Sequence, residues 1–296
     1  PQTIIDGNLA GSVIELITNS EIVGFTIKSG SANQGGGIRN SGADAPIFRN
    51  LILTGNSASD GGAIYSTGDP IISNVLFHNN IASSGGGGIA CRNGTITNVV
   101  IVDNTANYGG GIYLFGGTTT INGITVANNT ANHGGALHCW SSNGSTITNS
   151  IFYNYANEEI YFLSFSGLIF SYSDVKGGQT SWDGESSSTI SWGQGMLYEN
   201  PRFVGGSDFR LSDYSPCIGA GTIVGIDPLD VAKDSRPNPA GSNPDMGAYE
   251  NPLAAPLHNS FVHVSTTGDD NGSLGLGSAP FATIQAAIDY SIAGDT

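Results

Sequence analysis

The chain has 296 residues, of which 44 are glycine and only 11% are charged, with a formal charge of −15. Glycine at this density, with abundant Asn, Ser and Thr, starves long helices and favours turns and short strands, so the composition points to an all-β class. The negative balance is the wrong sign for tracking phosphates, which argues against a nucleic-acid partner, and no apolar run approaches the roughly 18 residues of a membrane-spanning helix.

From residue 27 to residue 156 the chain repeats itself. Ile38, Ile64, Ile89, Ile112 and Leu137 each follow a glycine-rich triplet, at intervals of 26, 25, 23 and 25 residues. An alanine precedes each triplet (Ala32, Ala58, Ala82, Ala106, Ala131, then Ala156), and two residues before each alanine stands Asn56, Asn80, Asn104, Asn129 or Asn154, with Gly30 in the first copy. Three residues earlier again come Ile27, Leu53, Phe77, Ile101, Val126 and Ile151. A period near 25 signals a solenoid, and the glycines rule out helical repeats. One turn of that length with several three- to six-residue strands is a coil of a parallel β-helix, each strand pairing with its copies about 4.8 Å above and below. Glycine recurs where the chain turns a corner with positive φ or passes close to a neighbour.

Period-two alternation after each corner assigns faces. The Ile column points inward, as do Asn40, Ser66, Cys91, Leu114 and Cys139 two residues on. The asparagine column is expected to form a buried ladder of side-chain amides. Cys91 and Cys139 share a column two coils apart, about 9.6 Å, beyond disulfide reach, and read as core filler. Ile52, Leu76, Val100 and Val102 form an apolar outward stripe, which the Pro- and Gly-rich segment 205–250 is expected to cover.

The apolar-x-x-Asn element (Phe77-His78-Asn79-Asn80, Ile101-Val102-Asp103-Asn104) combined with Gly-Gly-Ala-Ile and its variants resembles the repeats of secreted right-handed parallel β-helix proteins, including the polymorphic outer-membrane type. SYSDVKGG, ENPRFVGGSDFRLSDYSPCIGAG and NPDMGAYE resemble the tail of the pectate-lyase-like proteins called choice-of-anchor Q. That resemblance implies a bacterial, extracellular or cell-surface location and, for most members, no assigned activity. Residues 261–296 resemble the start of the same family, where a strand and a short amphipathic helix close the solenoid's first coil, yet here they come last. The expected organisation is a right-handed parallel β-helix of eight or nine coils over 1–204, a tail at 205–250, a linker at 251–260 and a cap-like segment at 261–296 ending in a short amphipathic helix. The arrangement, with its start on Pro1 and no leader, reads as a window across a tandem array of such modules, with a permuted form of one module as the alternative. In the helix, Phe281, Ile284, Ala287, Ile288 and Ile292 fall near one stripe. Eight or nine coils span about 40 Å and the linker about 35 Å at most, so this helix is expected on the open mouth of a neighbouring copy or on its own tail end.

Enzymes of this fold that cleave polysaccharides need either a basic residue beside carboxylate-held calcium, as in lyases, or two carboxylates about 5–9.5 Å apart, as in hydrolases. No carboxylate column follows the glycine corners. The outward positions there are Arg39, Tyr65, Ala90, Tyr113 and His138, then Ser41, Thr67, Arg92, Phe115 and Trp140. Tyr113, Phe115, His138 and Trp140 are expected as an exposed two-by-two cluster, with Arg92 one coil away and Tyr65 beyond it. The six residues Tyr65, Arg92, Tyr113, Phe115, His138 and Trp140 suit an anionic glycan by ring stacking, or simply brace the sheet. A metal between His133 and His138 lacks a third ligand. The run Gly268-Asp269-Asp270-Asn271-Gly272 reads as a solvated turn rather than a calcium loop, so no cofactor is expected, calcium being the one conceivable ion. Two functions stay open: a non-catalytic surface scaffold that associates head to tail with itself or a neighbouring module, and a binder or cleaver of extracellular polysaccharide acting as a lyase or glycoside hydrolase.

Overall fold

The computed structural model describes residues 3–17, 19–154, 158–257, 262–270 and 280–290. Among them the chain winds through eight coils, stacking three parallel sheets of thirteen, four and eight strands. In the eight-stranded sheet the predicted inner column is continuous: Ile14, Ile38, Ile64, Ile89, Ile112, Leu137, Ile160 and Trp182 are successive register partners. Two residues on, Asn40, Ser66, Cys91, Leu114 and Cys139 are all buried. The cysteines are free, separated by Leu114 in the register, and burial pushes the Cys91 thiol up to about 12.

The corner explains the glycines. Gly61 has φ +64°, a conformation that Cβ-bearing residues rarely adopt. Its neighbour Gly62 lies outside that left-handed range, but a Cβ there would sit 2.3 Å from the carbonyl oxygen of Gly87 in the next coil. The third triplet position is looser, and Ala63 and Ala136 occupy it.

The asparagine ladder is present. Asn56, Asn80, Asn104, Asn129 and Asn154 are buried, and each of the first four donates from Nδ2 to Oδ1 of the next at 2.9–3.0 Å. The same Oδ1 accepts the backbone N–H of the preceding asparagine. The amides thus all point one way, and the last one needs an acceptor. Glu159 supplies it, taking the backbone and side-chain N–H of Asn154 on its two oxygens at 2.7 Å each. Ala156, the last member of the alanine column, lies outside the described residues. The apolar column before the ladder differs from expectation at its last step. Phe152, not Ile151, pairs with Val126 and enters the core, whereas Ile151 faces the tail among Leu211, Cys217, Ile218 and Met246. A one-residue slip exchanges the faces of a strand.

The outward apolar stripe is partly covered. Val100 and Val102 pack with Ala127, Phe209 and Ala248, and Leu76 and Tyr249 lie against that cluster. The tail is clamped by a buried network. Arg236 donates from Nε to Glu250 at 2.9 Å, from one terminal nitrogen to Asn98 on the solenoid at 3.1 Å and from the other to the Gly247 carbonyl at 3.1 Å. Both charged side chains are fully buried. Glu250 also accepts the N–H groups of Asn238 and Asp245, and the Asp245 carboxylate takes those of Gly219 and Asn251.

The helix runs Ile284–Tyr290 and does not present the expected stripe. Phe281, Ala287 and Tyr290 are buried together against Val262, while Ile284 and Ile288 are 70% and 60% exposed. Ile292 lies outside the described residues. The Tyr290 ring of the helix lies 3.9 Å from the guanidinium carbon of Arg202, just before the tail. Asp270, weighed above as a calcium ligand, instead accepts the N–H groups of Ala282 and Thr283 at the helix entrance. Asn271 and Gly272 lie outside the described residues.

Four acids carry a pH signature. Burial pushes Glu159 and Asp174 up to about 7 and Asp245 to about 8, and it raises Glu250. Because the folded state keeps these protons to higher pH than the unfolded chain does, it binds more protons in that window, and stability falls as pH rises through it. Burial conversely holds His138 down to about 4, which costs stability only below its ordinary value near 6.5. The melting temperature is therefore expected to rise when the pH is lowered from about 8.5 to about 6.5, a trend that differential scanning calorimetry would check. A flat or opposite trend would mean these carboxyls stay ionised.

Candidate functional site

Parallel register places Arg39, Tyr65, Ala90, Tyr113, His138 and Tyr161 in one outward column, and Phe115, Trp140 and Leu163 in the next. A further column runs along the other side of the glycine corner, formed by the residue just before each first glycine: Gln34, Asp60, Gly85, Tyr108 and His133. The two columns lean together. His138 stacks on Tyr113 at 4.8 Å and lies 5.1 Å from Tyr108 and 5.6 Å from Tyr161, while His133 lies 4.5 Å from Tyr161. At the fourth coil both columns carry a small residue, Gly85 and Ala90. The Tyr113 ring leans over Gly85, where a Cβ would meet it at 2.6 Å, and Tyr65 and Phe115 stack across the Ala90 coil at 5.1 Å.

The expected exposed quartet therefore needs correction. His138 does point away from the solenoid axis, but it is only 3% exposed, sealed by the rings around it, and its Nδ1 lies 3.3 Å from the Tyr161 carbonyl, to which it donates as the Nδ1–H tautomer. Tyr65, Tyr113 and Phe115 are half-buried. Arg92 is exposed, and Trp140, 50% exposed, continues into exposed Leu163 and Phe165. Tyr108, Tyr161 and Asp60 were not among the predicted site residues. The signal was available, since the residue before each first glycine forms a column as regular as the residues after it.

The far end of the face is acidic: Asp183 follows Tyr161 in the outward column, and burial, with Asp183, Glu158 and Glu185 nearby, raises the Tyr161 phenol. Burial, reinforced by Asp60, raises the phenols of Tyr65 and Tyr113. Asp60 accepts the Gly85 N–H, and Glu158 accepts that of Gly134 and sits 3.5 Å from His133 Nδ1. These two carboxylates flank the same corner but are four coils apart, about 19 Å, too far to share one glycosidic bond. Among the described residues no three His, Cys, Asp or Glu side chains converge in a manner suited to a metal ion, and no helix is long and apolar enough to cross a membrane.

No curated protein and no solved structure matches the chain. The family model described as the right handed beta helix region matches residues 4–152, which is half of the sequence and the part that carries the glycine corners and all but the end of the asparagine ladder. The match and the stacked parallel register agree, and the chain belongs to the right-handed β-helix proteins.

Proposed function

We propose that this chain is a non-catalytic module of an exported or cell-surface bacterial protein, a rigid rod that joins end to end with further β-helical coils. The observation that carries the reading is the rim of the last coil. There the fully buried core ends on half-covered apolar side chains, Trp182, Ile190, Trp192 and Met196. Such a rim is completed by another coil, which buries the apolar layer and pairs the edge backbone in one step. The exposed Ile284 and Ile288, one helical turn apart, offer a second apolar contact for a neighbour. The likeness of the tail to choice-of-anchor Q proteins and of the repeats to the polymorphic outer-membrane type supports the location. Sedimentation velocity should show an s-value that grows with concentration, and Ile190→Asp, a change in the last coil, should remove the growth while leaving the far-UV spectrum intact. A strictly monomeric rod at every soluble concentration would overturn the reading.

Trp140 favours a second reading, a glycan-binding face, because an exposed indole beside Leu163 and Phe165 is a stacking platform for a sugar ring. Arg92, one coil before Phe115 in the outward row, would meet an acidic sugar. Incubation with uronate polysaccharides tests it. Binding or ultraviolet-absorbing unsaturated product that disappears in Trp140→Ala or Arg92→Ala would establish this reading over the first.

A further inference from the structure

The tail covers the outward apolar row unevenly. Val100 and Val102 are buried beneath Phe209 and Ala248, but the register partners of Val100 toward the start of the chain, Leu76 and then Ile52, are only half-buried. Over that uncovered part lies a cleft of about 530 Å3, floored by Leu51, Ile52 and Leu76 and walled by Val231, Lys233 and Tyr249 of the tail. Its size falls within the roughly 300–1,000 Å3 of small-ligand sites, and its make-up, apolar walls with a few placed polar groups, fits them too.

Lys233 stands at the mouth. Its backbone holds φ +80°, a strained conformation for a residue with a side chain and one that recurs at binding sites. Its ammonium donates to Asn50 Oδ1 at 2.9 Å, and among the described residues it forms no ion pair. Two of its three protons thus remain for a ligand. An extended peptide is a poor occupant, because the floor's backbone groups are consumed by pairing with neighbouring coils and offer no edge to augment.

We infer that this cleft binds a free linear aliphatic carboxylate, with the chain laid over Ile52 and Leu76 against the Tyr249 ring and the head group on Lys233. Burial of the chain supplies the affinity and the ammonium selects the head. The site lies on the side of the rod, away from the rim of the last coil, so its failure and that of the assembly reading are separable.

Isothermal titration with sodium dodecanoate, kept below its micelle threshold, tests the inference on the full chain, with dodecanol as the uncharged comparison. Saturable binding of one dodecanoate is expected, weakened about tenfold or more in Lys233→Met, which keeps the aliphatic stem. Dodecanol should bind more weakly than dodecanoate to the wild type, and Lys233→Met should erase that preference. Leu76→Trp, which fills the floor, should abolish binding with the circular dichroism spectrum unchanged. If that variant fails to fold, the Lys233→Met comparison decides alone. Absence of saturable binding, or affinity and head-group preference unchanged in Lys233→Met, would overturn the assignment.

Discussion

Replacing Asn104 by leucine is expected to destabilise the solenoid by roughly 4 kcal/mol or more, among the largest effects available to a single side chain here. The side chains are similar in size, so the loss is polar rather than steric. Asn104 accepts the backbone N–H and the Nδ2–H of Asn80 at 2.9 and 3.0 Å, and it donates to Asn129 Oδ1 and to the carbonyls of Phe77 and Val102. Leucine would strand the backbone N–H of Asn80, leave the Asn80 Nδ2 with only the Leu53 and His78 carbonyls, and leave acceptors short on its own and both neighbouring coils. Each stranded group costs about 1–3 kcal/mol in a site that water cannot enter. Aspartate would not rescue the position, because its second oxygen would face Asn129 Oδ1 where an N–H is needed. Thermal unfolding of Asn104→Leu should show a melting temperature lower by about 10 °C, against a change within about 1 °C for Asn132→Ala, an asparagine of the exposed surface. Equal behaviour of the two variants would mean that the ladder is incidental to stability.

Removing the tail clamp should act locally. In Arg236→Met the Glu250 carboxylate keeps its backbone donors but loses its only cationic partner among the described residues, and a buried charge stripped of its partner costs about 3–5 kcal/mol. The guanidinium also bridges to Asn98 and to the Gly247 carbonyl, so the link between tail and solenoid is weakened at the same stroke. The coils do not depend on that link for their own ladders. Limited proteolysis should therefore cut within 205–250 much faster than in the wild type, and a hydrophobic dye should bind the newly opened Val100 and Val102. The β-sheet signal should stay near the wild-type value. Loss of the whole fold would show that the tail is integral to the solenoid rather than a cover for it.

Much of this molecule could be read without coordinates because its repeating positions obey local rules. A glycine that must adopt φ +64°, or whose added Cβ would fall 2.3 Å from a carbonyl oxygen, leaves a mark at the corner. An inward Ile leaves a period-two trace, and an asparagine that must bond its own copy is kept at a fixed distance from both. Stacking turns that period into contact, so the columns, the amide ladder and the separated cysteines were all legible. The outward Tyr113 and Trp140 were assigned to the correct side of the sheet by the same alternation. Their company was not.

Whether an outward side chain meets water depends on what leans over it, and periodicity carries no such information. His138 is sealed because Tyr108 and Tyr161 reach it from the other side of the corner and from the next coil. The helix buries Tyr290 rather than Ile284 and Ile288 because Phe281, Val262 and Arg202, all outside the repeat, meet it on that side. Arg236 and Glu250 read as ordinary polar tail residues until the fold brings Asn98, 138 positions away, to the guanidinium. The sequence by itself determined the stack, since each coil's partner is a copy of itself and the pairing rule is written into every period. Only the tertiary structure decided the covers, clamps and clefts, since these join segments with no shared period, and their energies depend on distances that no local pattern encodes.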